Sequence, residues 1–304
     1  MYGENAMRLL HEGVRDEQFS LLGTTEDLTS AEIVFGQPEI APILQSKTIR
    51  WIHLDSAGYE RYDRDDFRAF LRRQGILITN SSSVYAEPCA QHVVAMIYSL
   101  ARQLPGALDV QRTDRSWPMM PLRANSFLLG EQSALLLGFG AIGRRLVELL
   151  SPLGIRLSGY RRRPEGNEAI PMIDEAGLAA ELAAVDHVIN LLPANPSTSH
   201  FCDERFFGGM KPGSIFYNIG RGSTVNQEAL REALVNGHLR AAYLDVTDPE
   251  PLPPDHPLWT TPNCLITPHT AGGHHDEKER LVGHFLENLR RYQLNESLND
   301  SIFQ

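Results

Sequence analysis

Residues 133–150 read SALLLGFGAIGRRLVELL. The opening SALLL is short, uncharged and apolar, as a strand covered on both faces should be. Gly138, Gly140 and Gly143 follow, with Phe139, Ala141 and Ile142 between them. Apolar residues then recur at helical spacing: Ile142, Leu146, Leu149, Leu150 and Leu153. A lone GxGxxG is weak evidence, but between a strand and a helix it marks a dinucleotide site. Gly138 permits the tight turn, and Gly140 lets a pyrophosphate approach the backbone. Gly143 lets helix and strand pack closely, and the helix N-terminus faces the anion. The competing reading is a glycine-rich turn that holds no ligand.

Further strands are predicted on both sides of this stretch. Downstream they fall at Arg156–Tyr160, His187–Leu192, Ser214–Ile219, Ala241–Val246 and Cys264–Thr267. Helices lie between most of them, one over Gln227–Asn236, and a last amphipathic helix is predicted at about Glu277–Tyr292. Upstream, short apolar runs at Phe19–Leu22, Ala31–Phe35, Thr48–Leu54 and Gly75–Thr79 alternate with helical stretches near Ala41–Gln45 and Asp65–Gln74. This alternation predicts parallel sheets with helical crossovers. A long helix is predicted over Glu87–Leu104, with Pro88 in its first turn. Residues 107–125 read as an irregular arm in which Trp117, Met119 and Met120 offer an apolar partner surface or pack on their own domain.

The 304 residues are enough for two domains. A formal charge of −10 speaks against nucleic acid as a partner, since phosphate binding needs a broad basic surface. Three scattered cysteines, Cys89, Cys202 and Cys264, form no metal-binding or disulfide pattern. The adjacent His274 and His275 have no carboxylate at ligand spacing, so no metal is expected. No apolar run is long enough to span a bilayer, and a reducing, cytoplasmic setting is the expectation.

An acid commonly follows the fingerprint by about 20 residues and accepts from the ribose 2′-hydroxyl of NAD. Here the next strand ends in Tyr160-Arg161-Arg162-Arg163-Pro164, with no acid. Guanidinium groups grip a 2′-phosphate with charge-assisted bonds. NADP(H) is therefore the expected cofactor, with Arg161 leading and Arg162 or Arg163 assisting, and NAD(H) remains open. A solvated basic loop is the competing reading.

Leu192-Pro193, Ile219-Gly220-Arg221, Asp245 and Pro268-His269 all fall at or just past predicted strand ends. That edge of an open α/β sheet is where ligands bind. Arg221, Glu250 and His269 supply a guanidinium, a carboxylate and an imidazole beside the nucleotide site. These are the groups needed to bind a 2-keto acid and hand it a proton as hydride arrives. Taken singly, each has a duller reading: a surface ion-pair residue, a solvated loop carboxylate, a satisfied loop histidine.

Four stretches carry a resemblance: Phe139 to Gly143, NIGRGSTVNQEAL (Asn218 to Leu230), AAYLDVTDPEPLP (Ala241 to Pro253) and ITPHTAG (Ile266 to Gly272). From about Ile49 to Leu294 the chain resembles the D-isomer-specific 2-hydroxyacid dehydrogenase family. The resemblance implies an α/β fold of two doubly wound parallel-sheet domains, a Rossmann nucleotide domain (101–272) inserted into a flavodoxin-like substrate domain (1–100 and 273–304), with the active site in the cleft. It implies that Arg221 binds the substrate carboxylate and polarises the carbonyl, that Glu250 hydrogen-bonds the imidazole, and that His269 is the general acid/base. Asp245 would hold the nicotinamide carboxamide, and Gly272 would lie at the cofactor. Ala57 and Gly58, in LDSAGYE, would offer N–H groups to the substrate carboxylate. A homodimer formed through the second domain and the arm is likewise implied.

Two departures from the family stand out. Gln91-His92 replaces a more usual Glu-His, and the chain opens near a helix at about Asn5–Glu12 where the family has a strand first. The activity implied is reduction of a small 2-keto acid such as glyoxylate or hydroxypyruvate. The alternative is a dinucleotide-sensing interaction protein of the corepressor type, which can retain the same three residues.

Overall fold

The structure, a computed structural model, describes residues 2–14, 28, 30–162, 164 and 166–303. In chain order its helices and strands begin with α1 (Glu4–Gly13), β1 (Ile33–Phe35), α2 (Ile40–Gln45), β2 (Trp51–His53), α3 (Asp65–Gln74), β3 (Leu77–Thr79) and α4 (Ser82–Ala101). Next come α5 (Leu104–Arg112), α6 (Met119–Asn125), β4 (Ser133–Leu137), α7 (Ala141–Leu150), β5 (Arg156–Tyr160), β6 (Met172–Ile173) and α8 (Glu175–Leu182). The remainder are β7 (His187–Asn190), α9 (Glu204–Gly209), β8 (Ile215–Asn218), α10 (Gln227–Val235), β9 (Ala241–Leu244), β10 (Cys264–Ile266) and α11 (Glu277–Gln293). Two units result: Met1–Tyr85 with Gly273–Gln304, and Ala86–Gly272. The first break falls inside α4, earlier than the expected one at residue 100.

The first unit holds a parallel sheet of order β1-β2-β3 among the described residues. Ala6 and Leu10 of α1 pack with Val282, Phe285 and Leu289 of α11, and Trp51 stacks with both Phe285 and Tyr292. The C-terminal residues cover the β3 edge. Asn80 N–H donates to Asp300 O, Ile302 N–H donates to Ile78 O, and Thr79 bridges Ser301 antiparallel. A covered edge no longer templates pairing with another chain. The strand expected at 19–22 lies outside the described residues.

The second unit is a seven-stranded sheet, parallel throughout, in the order β10-β9-β8-β7-β4-β5-β6 among the described residues. Every residue of β4, β7, β8 and β9 is buried, which fits uncharged, largely apolar strands covered on both faces. Leu135, Val188, Phe216 and Ala242 meet Leu182 of α8, Phe206 of α9 and Leu230 of α10 in one core. Asp174, Asp203 and Asn226 cap α8, α9 and α10 by accepting from Gly177, Phe206 and Ala229 N–H, each worth about 1 kcal/mol. The order reverses between β4 and β7, so the Gly138 turn stands at the switch point, where such sheets bind ligands.

Two local expectations are corrected. Helix α4 starts at Ser82, so Pro88 lies within it rather than in its first turn. Asn80 Oδ1 accepts from Ser82 N–H and Oγ, and Asp300 Oδ2 accepts from Ser83 N–H and Oγ, which satisfies the early donors. The arm is not irregular but carries α5 and α6. Pro105 and Pro121 fall in their first turns, where a missing N–H costs no helical bond. The sequence reading also passed over β6, a two-residue edge strand.

Candidate active site

Loops from six neighbouring strands of the second unit carry the expected residues in one row. Reading across the sheet, His269 follows β10, Asp245 and Glu250 follow β9, and Arg221 follows β8. Leu192 and Pro193 then follow β7, Gly138 follows β4 and Arg161 follows β5. Adjacent strands stand about 4.8 Å apart, so the row is a continuous track along the carboxyl edge.

At the switch point Gly138 has φ +93°, a left-handed conformation suited to glycine. Gly140 caps α7, and a Cβ there would meet nothing within 4 Å. Open space in front of a helix N-terminus suits a pyrophosphate. Ala141, Ile142 and Gly143 form the first turn of α7, whose leading N–H groups have no intrahelical acceptor. The residues present therefore fit a dinucleotide.

The β5 end differs from a bare basic loop. Arg161 Nη1 donates to Glu168 Oε1 at 3.4 Å, and Glu168 Oε2 also accepts from Gly166 N–H at 2.8 Å. Arg162 Nη2 donates to Ser197 Oγ at 2.6 Å. Arg163 lies outside the described residues.

Buried Asn190 and Asn218 brace the next loops, and sequence reasoning assigned neither a role. Asn190 Nδ2 donates to Asn218 Oδ1 (3.0 Å) and to Thr224 Oγ1 (2.7 Å), while Asn190 Oδ1 accepts from Leu192 N–H (3.2 Å). Asn218 Oδ1 accepts from Gly220 N–H (3.1 Å), and Thr224 Oγ1 donates to Arg221 O (2.7 Å). The signal available was a pair of asparagines at the ends of two apolar strands, where an uncharged amide can tie adjacent loops together. Ile219 is buried in the same turn.

Arg221 Nη1 donates to Gly220 O at 2.7 Å. A Cβ at Gly222 would overlap the carbonyl of Thr247, so only glycine allows the Arg221 turn to press against the loop that carries Glu250. Gln227 fixes that loop from α10, donating to Asp248 O (2.5 Å) and accepting from Asp248 N–H (3.0 Å). Burial, with the Asp245 charge second, pushes the Cys89 thiol up to about 12, and the Arg221 charge opposes this. Cys89 therefore stays a thiol within the field of both groups.

His269 Nδ1 lies 3.0 Å from Glu250 Oε2, both side chains being about half exposed. The pairing directs the imidazole Nε2 away from the carboxylate. His269 itself has φ +52°. Asp245 is buried, and its carboxylate accepts from Thr267 Oγ1 (2.6 Å), Thr270 N–H (2.8 Å) and Ala271 N–H (3.0 Å). A carboxylate has about four lone-pair sites, so one remains for a carboxamide N–H, and Gly272 follows directly.

In the first unit, the Ala57 carbonyl accepts from Asn80 Nδ2 (2.8 Å) and the Gly58 carbonyl from Ser56 Oγ (2.6 Å). Both loop carbonyls are thus tied back. Gln91 donates to Glu87, which pairs with Arg145 of α7. His256 caps a short turn through Leu258 N–H, and His274 pairs with Asp276. Among the described residues no group of three His, Cys, Asp or Glu side chains gathers to hold a metal, and no helix is long and apolar enough to cross a membrane.

The family model for the NAD-binding domain of D-isomer specific 2-hydroxyacid dehydrogenases matches residues 94–271, more than half of the chain. The glyoxylate reductase/hydroxypyruvate reductase of Mus musculus is 34% identical over 223 residues, 73% of this chain and 67% of that protein. A D-isomer specific 2-hydroxyacid dehydrogenase from Xanthobacter autotrophicus Py2, solved with NADPH and MES, shares the fold at TM-score 0.84 and 23% identity, over 99% of this chain and 95% of that one. A probable 2-hydroxyacid dehydrogenase from Rhizobium etli CFN 42, solved with NADP, HEPES and L(+)-tartaric acid, does so at TM-score 0.82 and 24% identity, over 98% and 94%.

Proposed function

Because the chain belongs to the D-isomer specific 2-hydroxyacid dehydrogenase family, whose members are NAD(P)-dependent oxidoreductases, we propose that it reduces a small 2-keto acid of the glyoxylate or hydroxypyruvate type. The observation that carries this reading is the 3.0 Å contact between His269 Nδ1 and Glu250 Oε2, on loops of neighbouring strands. The name of the mouse relative supports the substrate class.

The bound nicotinamide supplies or accepts hydride. The chain's residues do the rest. Glu250 holds Nδ1, which leaves Nε2 to give a proton to the keto oxygen. Arg221 binds the substrate carboxylate and steadies charge developing on that oxygen. In the reverse direction neutral His269 takes the hydroxyl proton. Asp245 keeps one acceptor site for the carboxamide, and the Ala57 and Gly58 amides are further candidates for the substrate carboxylate.

NADPH is the preferred cofactor in this reading. The β5 end offers Arg161 and Arg162, and Glu168 beside them already accepts from Arg161 and from Gly166 N–H. A 2′-phosphate would draw Arg161 from its pairing with Glu168. A second copy of the chain is the proposed partner of the arm, where Leu104, Leu108, Trp117, Met119, Met120 and Leu128 are exposed, Trp117 at 89%.

The test is reduction of a panel of 2-keto acids (glyoxylate, hydroxypyruvate, pyruvate and longer analogues), followed at the NAD(P)H absorbance with each cofactor. Glyoxylate or hydroxypyruvate should be the best substrate. Tight dinucleotide binding without turnover of any keto acid would favour the sensing role instead.

A further inference from the structure

Tyr243 is the third residue of β9 and is fully buried. Its ring stacks on the imidazole of His92 from α4, with centroids 5.6 Å apart and planes 21° apart. Packing alone would need only a phenylalanine. The hydroxyl, however, lies 2.7 Å from Thr267 Oγ1, and Thr267 Oγ1 lies 2.6 Å from Asp245 Oδ1.

The direction of these bonds follows from what each group can do. An ionised carboxylate only accepts, so the one hydroxyl proton of Thr267 points at Asp245, and Tyr243 must donate to Thr267. Burial raises the Tyr243 phenol pKa, so the phenol keeps its proton. Asp245, at the end of this chain, grips the turn that carries His269 in three places. Its carboxylate accepts from Thr270 and Ala271 N–H, and its main-chain carbonyl accepts from His269 N–H at 2.9 Å. The grip matters because His269 holds φ +52°, a conformation that a non-glycine residue keeps only where its surroundings impose it.

We propose that Tyr243 is a positioning residue for the reaction: its hydroxyl, acting through Thr267, orients the Asp245 carboxylate and so fixes the turn that presents His269. The inference rests on the role given to His269 above.

The test uses the full chain and two readouts, kcat with glyoxylate and NADPH, and hydrogen–deuterium exchange of the peptide covering 267–272. Tyr243→Phe keeps the ring stack and removes only the donor. It should lower kcat about threefold to tenfold with an unchanged KM for glyoxylate, and it should speed exchange at Thr270 and Ala271. Thr267→Val should do at least as much. Adding Tyr243→Phe to it should change kcat by clearly less than Tyr243→Phe does alone, because the hydroxyl acts mainly through Thr267. Thr267→Ser should restore both the wild-type values and the sensitivity to Tyr243→Phe. Wild-type exchange and kcat in Tyr243→Phe, or a full extra loss in the Thr267→Val background, would overturn the inference. A wild-type chain that reduces no keto acid would refute the functional reading instead, and the exchange data would still decide whether the hydroxyls hold the turn.

Discussion

The His269 imidazole meets the Glu250 carboxylate at 3.0 Å although the two residues are 19 positions apart and follow different strands. Parallel pairing of β9 with β10 places their loops side by side, so the contact follows from sheet register. Glu250→Gln keeps an acceptor at the same reach and removes the charge. A hydrogen bond to a charged group contributes about 1.5–3 kcal/mol, so kcat for keto-acid reduction should fall about 10- to 150-fold. Steady-state kinetics at neutral pH check this, and a loss below about threefold would show that the charge is not used.

Cofactor choice should follow the two guanidiniums after β5. Arg161→Ala and Arg162→Ala should each raise KM for NADPH by about tenfold or more, with little change for NADH. Glu168→Gln should act in the opposite sense, since it weakens the carboxylate's hold on Arg161. Faster reduction with NADH than with NADPH by the unaltered chain would contradict the arginine argument.

Two buried histidines make stability depend on pH. Burial depresses the His187 pKa to about 4. At His53 burial, with the charge of His284 second, depresses it to about 3. The unfolded chain takes up these protons near 6.5. Between that value and the folded ones the unfolded state binds more protons, so stability is full above pH 6.5 and declines as pH falls toward 4. Each histidine contributes a slope of up to about 1.4 kcal/mol per pH unit. Urea unfolding at pH 7 and pH 5 should show a smaller difference in His187→Gln than in the unaltered chain. Equal differences would mean that His187 titrates normally.

The arm makes a separate prediction. If a second copy covers it, the molecular mass from light scattering should be that of a dimer. Trp117→Asp combined with Met120→Asp should then yield a monomer. A monomeric unaltered chain, or a variant that stays dimeric, would exclude this face.

Much of this was legible in sequence because the signals were local. SALLL and RLSGY carried their strands, and DDFRAFLRRQ carried α3 through its spacing, although Gly75, read as the start of the next strand, is the left-handed cap that ends α3. The row of site residues was legible because each sits just past such a strand. What escaped depended on distant partners. The start of α4 is satisfied by Asp300, 217 residues from Ser83. The Asn190–Asn218 brace exists only once β7 and β8 are paired. The three arginines read as a grip for a 2′-phosphate, and the sequence did not show that Arg161 is already paired with Glu168 and Arg162 with Ser197. Asp245 read as a cofactor ligand alone, and the structure adds its grip on the histidine turn.

The most direct measurement is a single-turnover oxidation of NADPH by glyoxylate, comparing the unaltered chain with His269→Gln, alongside NADPH binding by fluorescence. The account predicts a rate lowered by about 10²–10⁴ with binding nearly unchanged. A near-normal rate in the variant would remove His269 from the chemistry and contradict the account.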